Sequence, residues 1–500
     1  MRTAARSGGT SDRFIERISE VLGALLTVLK KREKAVTEQH QKNSSREKNF
    51  CKILTASIIP IQLLLFGFIW ISYYNLFAFR SHRLMGGIIS LLLYCSIYNR
   101  LVRIYRADKV AQYSIGETVF SQLLAFGITD LIFYVECCFI ARGYVSIVPG
   151  FITVMIQFAS ACLWAVVAKR YYHRHIAPQE TTVIYGDESV KEFLRKIEEK
   201  SWRLFHIHSK VPVEKGMEEI KEVIDCSEAV ILYQIDYSLR EELIYYCVNQ
   251  KKVFYVTPTI TDIVACGFEN RHFIDSPLMK HSCYQESLMM ALLKRIMDIG
   301  VSLFGLVITL PITLITMIAI KLEDGGTVFF RQERYTKDWK KFHIIKFRSM
   351  IMDAEKDGAT LCGTNDRRVT KVGAVIRRFR IDEIPQLVNV LKGDMALVGP
   401  RPERVENVEK YTEELPQFAY RLQVKSGLTG YAQLYGKYNT SAYDKLRLDL
   451  IYIENRSLIL DMKLIMLTLK ILFIPESTEG FSDEAVQLMR VELGDRNLMV

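Results

Sequence analysis

The stretch RRFRIDEIPQLVNVLKGDMALVGPRP, residues 377–402, is the part of the chain around which the rest is organised. Its centre holds two adjacent carboxylates, Asp382 and Glu383, followed by apolar residues at helical spacing and by Gly393 as a stop signal. The pair is therefore predicted at a helix N-terminus, where backbone N–H groups and the helix dipole favour negative charge. A plain cap, with Asp382 as N-cap and Glu383 as first-turn acid, is one interpretation.

The arginines on either side of the pair indicate a second interpretation. Arg377 precedes the pair, and Arg401 follows it in the VGPRP loop (398–402), which glycine and proline stiffen. Guanidinium groups match phosphate oxygens bidentately. Two adjacent carboxylates among arginines suit a divalent metal, a phosphate ester and a carboxylate nucleophile, and phosphoryl transfer needs all three.

Six sequence blocks then follow one another: KRIMD (294–298), FRQER (330–334), KFRSM (346–350), IDEIPQL (381–387), GDMALVGPRP (393–402) and GLTGYAQLYGK (427–437). In this order they resemble the motifs of bacterial monotopic phosphoglycosyl transferases, over about residues 290–475. Enzymes of that family move a sugar phosphate from a nucleotide sugar onto polyprenyl phosphate. The N-terminal layout resembles the long, undecaprenyl-phosphate-linked form that starts exopolysaccharide, capsule or O-antigen synthesis.

The resemblance implies a role for each residue of the predicted site. Asp382 matches the family's nucleophile, which would hold the phosphosugar covalently, and Glu383 matches the second acid, so that both carboxylates are candidate Mg²⁺ ligands. Asp298 is expected to pair with an active-site base. Where Lys437 stands, family members often have Arg, and lysine lacks the bidentate fork. The basic residues expected to bind substrate are Lys346, Arg348, Arg377, Arg401 and Lys437.

Composition leaves several classes of protein open. The 500 residues suggest about three domains, and the net charge of +10 fits nucleic acid, an anionic membrane surface or phosphorylated substrates. The ten cysteines include no CxxC pair, which argues against a zinc site and against a disulfide framework.

Two alternatives to the enzyme are a membrane-anchored nucleic-acid binder and a non-enzymatic scaffold or sensor. The first would need aromatic residues interleaved with Lys and Arg, and the basic run 364–380 has only Phe379. The second would have no need of Asp382 and Glu383 beside the VGPRP loop.

Four apolar segments are long enough, or nearly so, to cross a hydrocarbon core of roughly 30 Å: about 53–77, 84–102, 119–141 and 147–168. Basic residues cluster before the first segment, after the second and after the fourth, so both ends are predicted to be cytoplasmic. We expect a multi-pass protein of the bacterial inner membrane with its catalytic domain on the cytoplasmic face. Asp130 and Glu136, inside the third segment, are interpreted as structural residues facing a bundle or dimer interface.

Residues 181–275 alternate short apolar strands with polar helices, which predicts a small parallel α/β domain. The long form of the family carries a similar, Rossmann-like domain. Its first βα turn offers only Gly186 and no GxGxxG, so a structural or regulatory module is preferred to dinucleotide binding.

The apolar run 296–320 is also long enough to span a membrane, but Pro311 lies in its middle and removes a helical hydrogen bond. Basic residues flank both of its ends, and a crossing would place the following domain outside, away from cytoplasmic nucleotide sugars. The run is therefore predicted as a re-entrant helix-break-helix, which the resemblance also implies, with the break at Pro311.

The predicted fold class is α/β with an α-helical membrane region. It combines four transmembrane helices, a small Rossmann-like parallel α/β domain and a monotopic catalytic α/β domain with a re-entrant membrane helix. Expected partners are a UDP-sugar, undecaprenyl phosphate, membrane lipid and, as an open option, a second copy of the chain, with no nucleic acid. The segments are an N-terminal cytoplasmic tail (1–50), the transmembrane domain (51–172), the Rossmann-like domain (178–283), the catalytic domain (288–475) and a C-terminal tail (476–500).

Overall fold

The computed structural model describes residues 50–51, 53–78, 83–200, 204–267, 269–273, 276–280, 288–352, 368–436 and 441–471. Lys437, the C-terminal tail and all but the last residue of the N-terminal tail lie outside this part. The chain divides into two compact units. The first runs to Ile184 and adds Glu188–Val230 and Tyr245–Val253, and the second comprises Tyr185–Asp187, Ile231–Ile244 and the chain from Phe254 onward. The predicted division into five segments stays a prediction.

Four long apolar helices begin the chain: α1 (Ile53–Ala78), α2 (Arg83–Tyr105), α3 (Ile115–Ile140) and α4 (Val148–His175). They overlap the four predicted apolar segments, and α4 continues past its segment into basic residues. Helix α3 begins with a capping box, in which Ser114 and Glu117 exchange side-chain and backbone hydrogen bonds.

The interior of this bundle combines aromatic packing with polar contacts. The rings of Phe66 and Tyr94 stack with centroids 3.8 Å apart. The Tyr94 hydroxyl donates to the carboxylate of Asp130 at 2.9 Å and accepts from the amide of Gln157 at 3.1 Å. Asp130 therefore contacts the polar interior of the bundle, because a carboxylate surrounded by apolar groups needs hydrogen-bond donors.

The α/β part follows the predicted alternation of strands and helices. Its strands are β1 (Gln179–Tyr185), β2 (Phe205–Pro212), β3 (Ala229–Tyr233) and β4 (Val253–Val256), in the sheet order β2-β1-β3-β4. Strand β3 is buried at every position, as expected for a central strand covered on both faces. The predicted parallel α/β sheet is confirmed. The helices of this part are α5 (Val190–Lys200), α6 (Met217–Cys226), α7 (Tyr237–Asn249) and α8 (Ile260–Cys266), and a hairpin follows, β5 (Glu269–Phe273) with β6 (Ser276–Lys280).

Helix α9 (Leu288–Asp324) is the fifth helix of the described residues that is long and apolar enough to cross a membrane. It is longer than the predicted run 296–320, and Pro311 lies inside it. The structure assigns one helix to both sides of Pro311, and the predicted re-entrant break there stays a prediction. A proline removes one backbone hydrogen bond, and a helix in a membrane protein tolerates that loss where neighbouring groups compensate for it.

The rest of the second unit consists of short elements that hold loops in place. Strands β7 (Phe329–Tyr335) and β8 (Lys341–Phe347) form an antiparallel hairpin. Strands β9 (Ala396–Val398) and β10 (Gly427–Thr429) pair in parallel. The helices are α10 (Lys371–Arg378), α11 (Gln386–Lys392), α12 (Val405–Glu414), α13 (Tyr431–Tyr435), α14 (Ala442–Glu454) and α15 (Leu458–Ile471).

Two glycines allow the loop after β9 to approach β10. A Cβ added to Gly399 or to Gly427 would overlap backbone atoms of the other segment. Only glycine therefore permits this approach. It fixes the course of the VGPRP loop relative to the core of the unit.

Candidate active site

Asp382 and Glu383 lie in a short 3₁₀ turn, Ile381–Glu383, and not in the first turn of an α-helix. Arg380, immediately before it, has the left-handed backbone conformation (φ 54°, ψ 23°), which turns the chain after α10. Helix α11 begins only at Gln386, and no side chain caps its N-terminus. The interpretation of Asp382 as a helix cap is therefore wrong, because its carboxylate makes no capping hydrogen bond to α11.

Glu383 is surrounded by positive charge. The Lys346 ammonium lies 3.0 Å from Oε1 of Glu383, and the Arg401 guanidinium lies 3.4 Å from the same oxygen. Arg380 lies 3.8 Å from Oε2. Burial alone would raise the pKa of Glu383, but these three charges hold it well below its usual range. Glu383 is therefore an anion at all physiological pH values.

At Asp382, the effects that raise the pKa outweigh those that lower it. Burial and the adjacent charge of Glu383 raise the pKa of Asp382 to about 6, although Lys346, Arg377 and Arg401 act in the other direction. The two adjacent carboxylates thus differ, since the direct ion pairs form at Glu383. An acid whose pKa lies near neutrality, beside a permanently ionised neighbour, is typical of a catalytic pair.

Four separate elements bring this site together. Lys346 comes from strand β8, Arg377 from the last turn of α10, the acids from the 3₁₀ turn, and Arg401 from the loop after β9. Lys346 and Glu383 are 37 residues apart in sequence. Sequence reasoning named both acids and these three basic residues, and the structure brings all five together.

The structure does not place Arg348 at this cluster. Its guanidinium pairs with Asp324 at the end of α9, and the side chain is buried. Strand β8 ends at Phe347, so the alternation that would put Lys346 and Arg348 on one face does not extend to Arg348. The ion pair of Arg348 with Asp324 thus connects the end of α9 to the end of β8.

Asp298 also lies away from the two acids. Its carboxylate accepts the backbone N–H of Leu397 at 3.3 Å and is buried. The nearby Lys294 pairs instead with Asp461, at 2.6 Å. The contacts of Asp298 therefore connect the foot of α9 to strand β9, and none of them reaches the basic residues of the site.

Two arginines close to the site, the buried Arg421 and the half-buried Arg334, were not found from the sequence. Arg421 donates to the carbonyl of Arg401 at 2.9 Å, and Arg334 donates to the carbonyl of Pro402 at 3.2 Å. No local pattern marks Arg421, whereas Arg334 lies in the FRQER block. Arg380 was not singled out from the sequence, although its position three residues before Glu383 makes a contact between their side chains expected.

Comparison with known proteins identifies the family. A family model described as bacterial sugar transferase matches residues 289–475. A Bacillus subtilis protein named uncharacterized sugar transferase EpsL is 40% identical over 188 residues, which are 38% of this chain and 91% of that protein. The chain belongs to the bacterial sugar transferase family.

Two further members carry more specific names. A second B. subtilis protein, a putative undecaprenyl-phosphate N-acetylgalactosaminyl 1-phosphate transferase, is 52% identical over 130 residues, 26% of this chain and 73% of that protein. An Aeromonas hydrophila UDP-N-acetylgalactosamine-undecaprenyl-phosphate N-acetylgalactosaminephosphotransferase is 44% identical over 183 residues, 36% of this chain and 43% of that protein. The match thus spans less than half of the Aeromonas protein. The whole candidate site lies within residues 289–475, which the family model matches.

Proposed function

We propose that this protein is a phosphoglycosyl transferase that moves a sugar 1-phosphate from a nucleotide diphosphosugar, a UDP-sugar by analogy with its relatives, to undecaprenyl phosphate. The names of the relatives support the general reaction. The observation that carries the proposal is the electrostatic difference between Asp382 and Glu383 within one site lined by Lys346, Arg377 and Arg401. Such a site can bind a diphosphate and present one carboxylate to it.

The first chemical step is assigned to Asp382. An ionised oxygen of Asp382 attacks the sugar-proximal phosphorus, a new O–P bond forms, and the bond to the nucleoside monophosphate breaks, so that this monophosphate leaves with the bonding electrons. The phosphosugar is then held as an aspartyl phosphate. An oxygen of the polyprenyl phosphate attacks the same phosphorus, and the Asp382 carboxylate is released. Two steps replace a direct encounter between two anionic substrates.

The basic residues have a binding role in this scheme. Lys346 and Arg401 contact Glu383 when no substrate is bound, and both can turn toward phosphate oxygens. For Arg401, 41% of the side chain is exposed. Guanidinium and ammonium groups so placed neutralise charge and fix the diphosphate for attack. Glu383 keeps them in position before the substrate arrives.

The donor set fits Mg²⁺ bound together with substrate. Mg²⁺ is usually held by one or two carboxylates plus substrate phosphates, and Asp382 and Glu383 supply hard oxygen ligands. No group of three or more His, Cys, Asp or Glu in the described part of the chain is placed to hold a metal ion. On the chemistry of these donors, we assign Mg²⁺ to the two carboxylates and the diphosphate, whose negative charge it would offset.

The contacts of α9 support the re-entrant topology. Near its start, Arg295 donates to the carbonyls of Val390 at 2.6 Å and Leu391 at 2.7 Å, at the end of α11. At its other end, Glu323 accepts the backbone N–H groups of Lys371 at 2.8 Å and Val372 at 3.2 Å. A crossing would separate these ends by a core of roughly 30 Å. Because both ends bind the same compact unit, α9 is proposed to enter and leave on one face.

The exposed middle of α9 supports its insertion into lipid. Large apolar side chains there are exposed, among them Phe304, Val307, Leu310 and Ile315. Contiguous apolar surface of this kind is expected against lipid and not against water. With α1–α4 as four spans, the proposed location is the bacterial inner membrane with the active site on the cytoplasmic face.

The test is release of nucleoside monophosphate from a panel of UDP-sugars by the purified full-length chain in nanodiscs containing undecaprenyl phosphate. We expect one or a few sugars to give monophosphate and a lipid-linked sugar diphosphate. Absence of both products across the panel, with Mg²⁺ present, would refute the proposal. The panel also identifies the sugar. A homodimer stays a prediction.

A further inference from the structure

We infer that Arg421 is a positioning residue, which aims the Arg401 guanidinium at the phosphate site by fixing the main chain of the VGPRP loop. The inference rests on the proposed function, because it assigns Arg401 to phosphate binding. It concerns a residue that contacts neither of the two acids, and it depends on five contacts in one compact unit.

The first contacts are those of Arg421 itself. It lies in the 3₁₀ segment Pro416–Gln423 and is 3% exposed. Its Nη2 donates to the carbonyl oxygen of Arg401 at 2.9 Å and lies 2.8 Å from Oδ2 of Asp449, which is 1% exposed. The guanidinium carbon also lies 4.8 Å from the ring centre of Phe418. One nitrogen therefore connects helix α14 to the loop that carries Arg401.

The prolines of the VGPRP loop restrict the backbone on both sides of Arg401. Pro400 and Pro402 flank it, and proline fixes its own φ and restricts the residue before it. Arg334 donates to the carbonyl of Pro402 at 3.2 Å, which holds the far side of the loop. The carbonyl of Arg401 is held by Arg421, so this hydrogen bond sets the orientation of the Arg401 peptide and the direction of its side chain.

The contacts that begin at Arg421 continue through Arg401 to Glu383 in the site. The Arg401 guanidinium lies 3.4 Å from Oε1 of Glu383, whereas the Lys346 ammonium lies 3.0 Å from the same oxygen. A side chain at that distance is sensitive to small shifts of its backbone, and misplacement of a positioning group by about 1 Å can cost a hundredfold in rate. Arg421 thus acts on the reaction only through Arg401.

A purely structural role for Arg421 makes a different prediction, and a double variant separates the two. Arg421→Met alone leaves Asp449 buried without its charge partner, which destabilises the fold. Arg421→Met/Asp449→Leu removes both charges and keeps apolar packing, and such replacements are often neutral or stabilising. Glu403, on which the Arg421 charge also acts, keeps Lys445 as a positive neighbour. The double variant should therefore fold, yet its Arg401 carbonyl has lost its donor.

The experiment compares wild type, the double variant, Arg401→Ala and the triple variant in nanodiscs. We expect the double variant to keep a Tm close to wild type and to raise KM for the nucleotide sugar about tenfold, the usual effect of losing one charged hydrogen bond. Arg401→Ala should then cost much less in the double variant than in wild type, since the side chain is already misdirected. Wild-type KM and kcat in a folded double variant would show that the pair is only structural.

One further measurement tests the position of the loop without any turnover. Hydrogen exchange of the peptide covering residues 399–404 needs no turnover, and it should be faster in the double variant and in Arg421→Lys than in wild type. Unchanged exchange would overturn the inference even if wild type transfers no sugar, an outcome that would refute the proposed function separately. The matched control is Arg240→Met/Asp262→Leu, which removes a partly buried ion pair (2.7 Å) of the α/β part and should leave KM unchanged.

Discussion

The Lys346 ammonium lies 3.0 Å from Oε1 of Glu383, and the pKa of the adjacent Asp382 is nevertheless raised. Lys346 thus helps to keep Glu383 ionised, while the adjacent Asp382 is the reactive carboxylate. Because the ion pairs form at Glu383, burial and the Glu383 charge dominate at Asp382. The first three predictions test this division, and the last two test the surroundings of the site.

Asp382→Asn should abolish both transfer and the covalent phosphosugar adduct, because an amide cannot displace the monophosphate. The amide is nearly isosteric, so folding and membrane insertion should be unchanged. Adduct formation is followed by intact-protein mass spectrometry with the active UDP-sugar. Asp338→Asn, in the exposed turn after β7, is the matched control and should keep full activity. Turnover at the wild-type rate by Asp382→Asn would remove it as the nucleophile.

The rate of adduct formation should depend on pH with an acid limb near pH 6. Burial and the charge of Glu383 raise the pKa of Asp382 to about 6, and only the ionised form attacks, so the rate should fall about tenfold per pH unit below that pKa. Glu383→Gln removes the like charge, so its acid limb should move to lower pH. Single-turnover rates between pH 4.5 and 8, buffered at constant ionic strength, measure both. An acid limb that stays in place in Glu383→Gln contradicts the assigned cause.

Lys346→Met should shift the acid limb the other way. The Lys346 charge lowers the pKa of both acids, so its loss should raise the pKa of Asp382 further and move the limb to higher pH. KM for the nucleotide sugar should also rise about tenfold if Lys346 binds phosphate. Lys341→Met is the matched control on the same strand, since Lys341 pairs with Glu333 at 3.2 Å. Equal kinetics for the two variants would exclude Lys346 from the site.

Arg348→Met should lower stability and leave substrate affinity unchanged. The Arg348 side chain is buried and pairs with Asp324, away from the acids, so its removal loosens the end of α9. A lower Tm with wild-type KM is expected. An increase in KM comparable to that of Lys346→Met, without loss of Tm, would return Arg348 to the substrate-binding residues.

Cysteines that replace Leu293 and Leu322 should both react only with thiol reagents applied from the cytoplasmic side. The two positions flank the membrane part of α9, and their side chains are 41% and 80% exposed. Labelling is done in a background where all ten native cysteines are changed to serine. Pro311→Leu should straighten the helix and shift part of the population to spanning. Labelling of the two cysteines from opposite sides of the membrane would show that α9 crosses it.

The sequence by itself determined the elements of the fold and the two acids. The alternation of strands and helices around β1 to β4 was predicted from the residue pattern and is confirmed. The four predicted apolar segments coincide with helices α1 to α4, and their crossing of a membrane stays a prediction. These features depend on neighbours within about ten residues, where backbone sterics and burial dominate. The adjacency of Asp382 and Glu383 is likewise a property of the chain and not of its folding.

Only the tertiary structure decided which charges meet. Lys346 and Arg348 are two residues apart and look equivalent in sequence. Because β8 ends at Phe347, Lys346 pairs with Glu383, whereas Arg348 pairs with Asp324. The contact of Arg421 with Arg401 and Asp449 has no local signal, because it depends on where α14 packs. Pairing between distant residues is set by the packing of whole elements, and the periodicity of one segment does not contain that information.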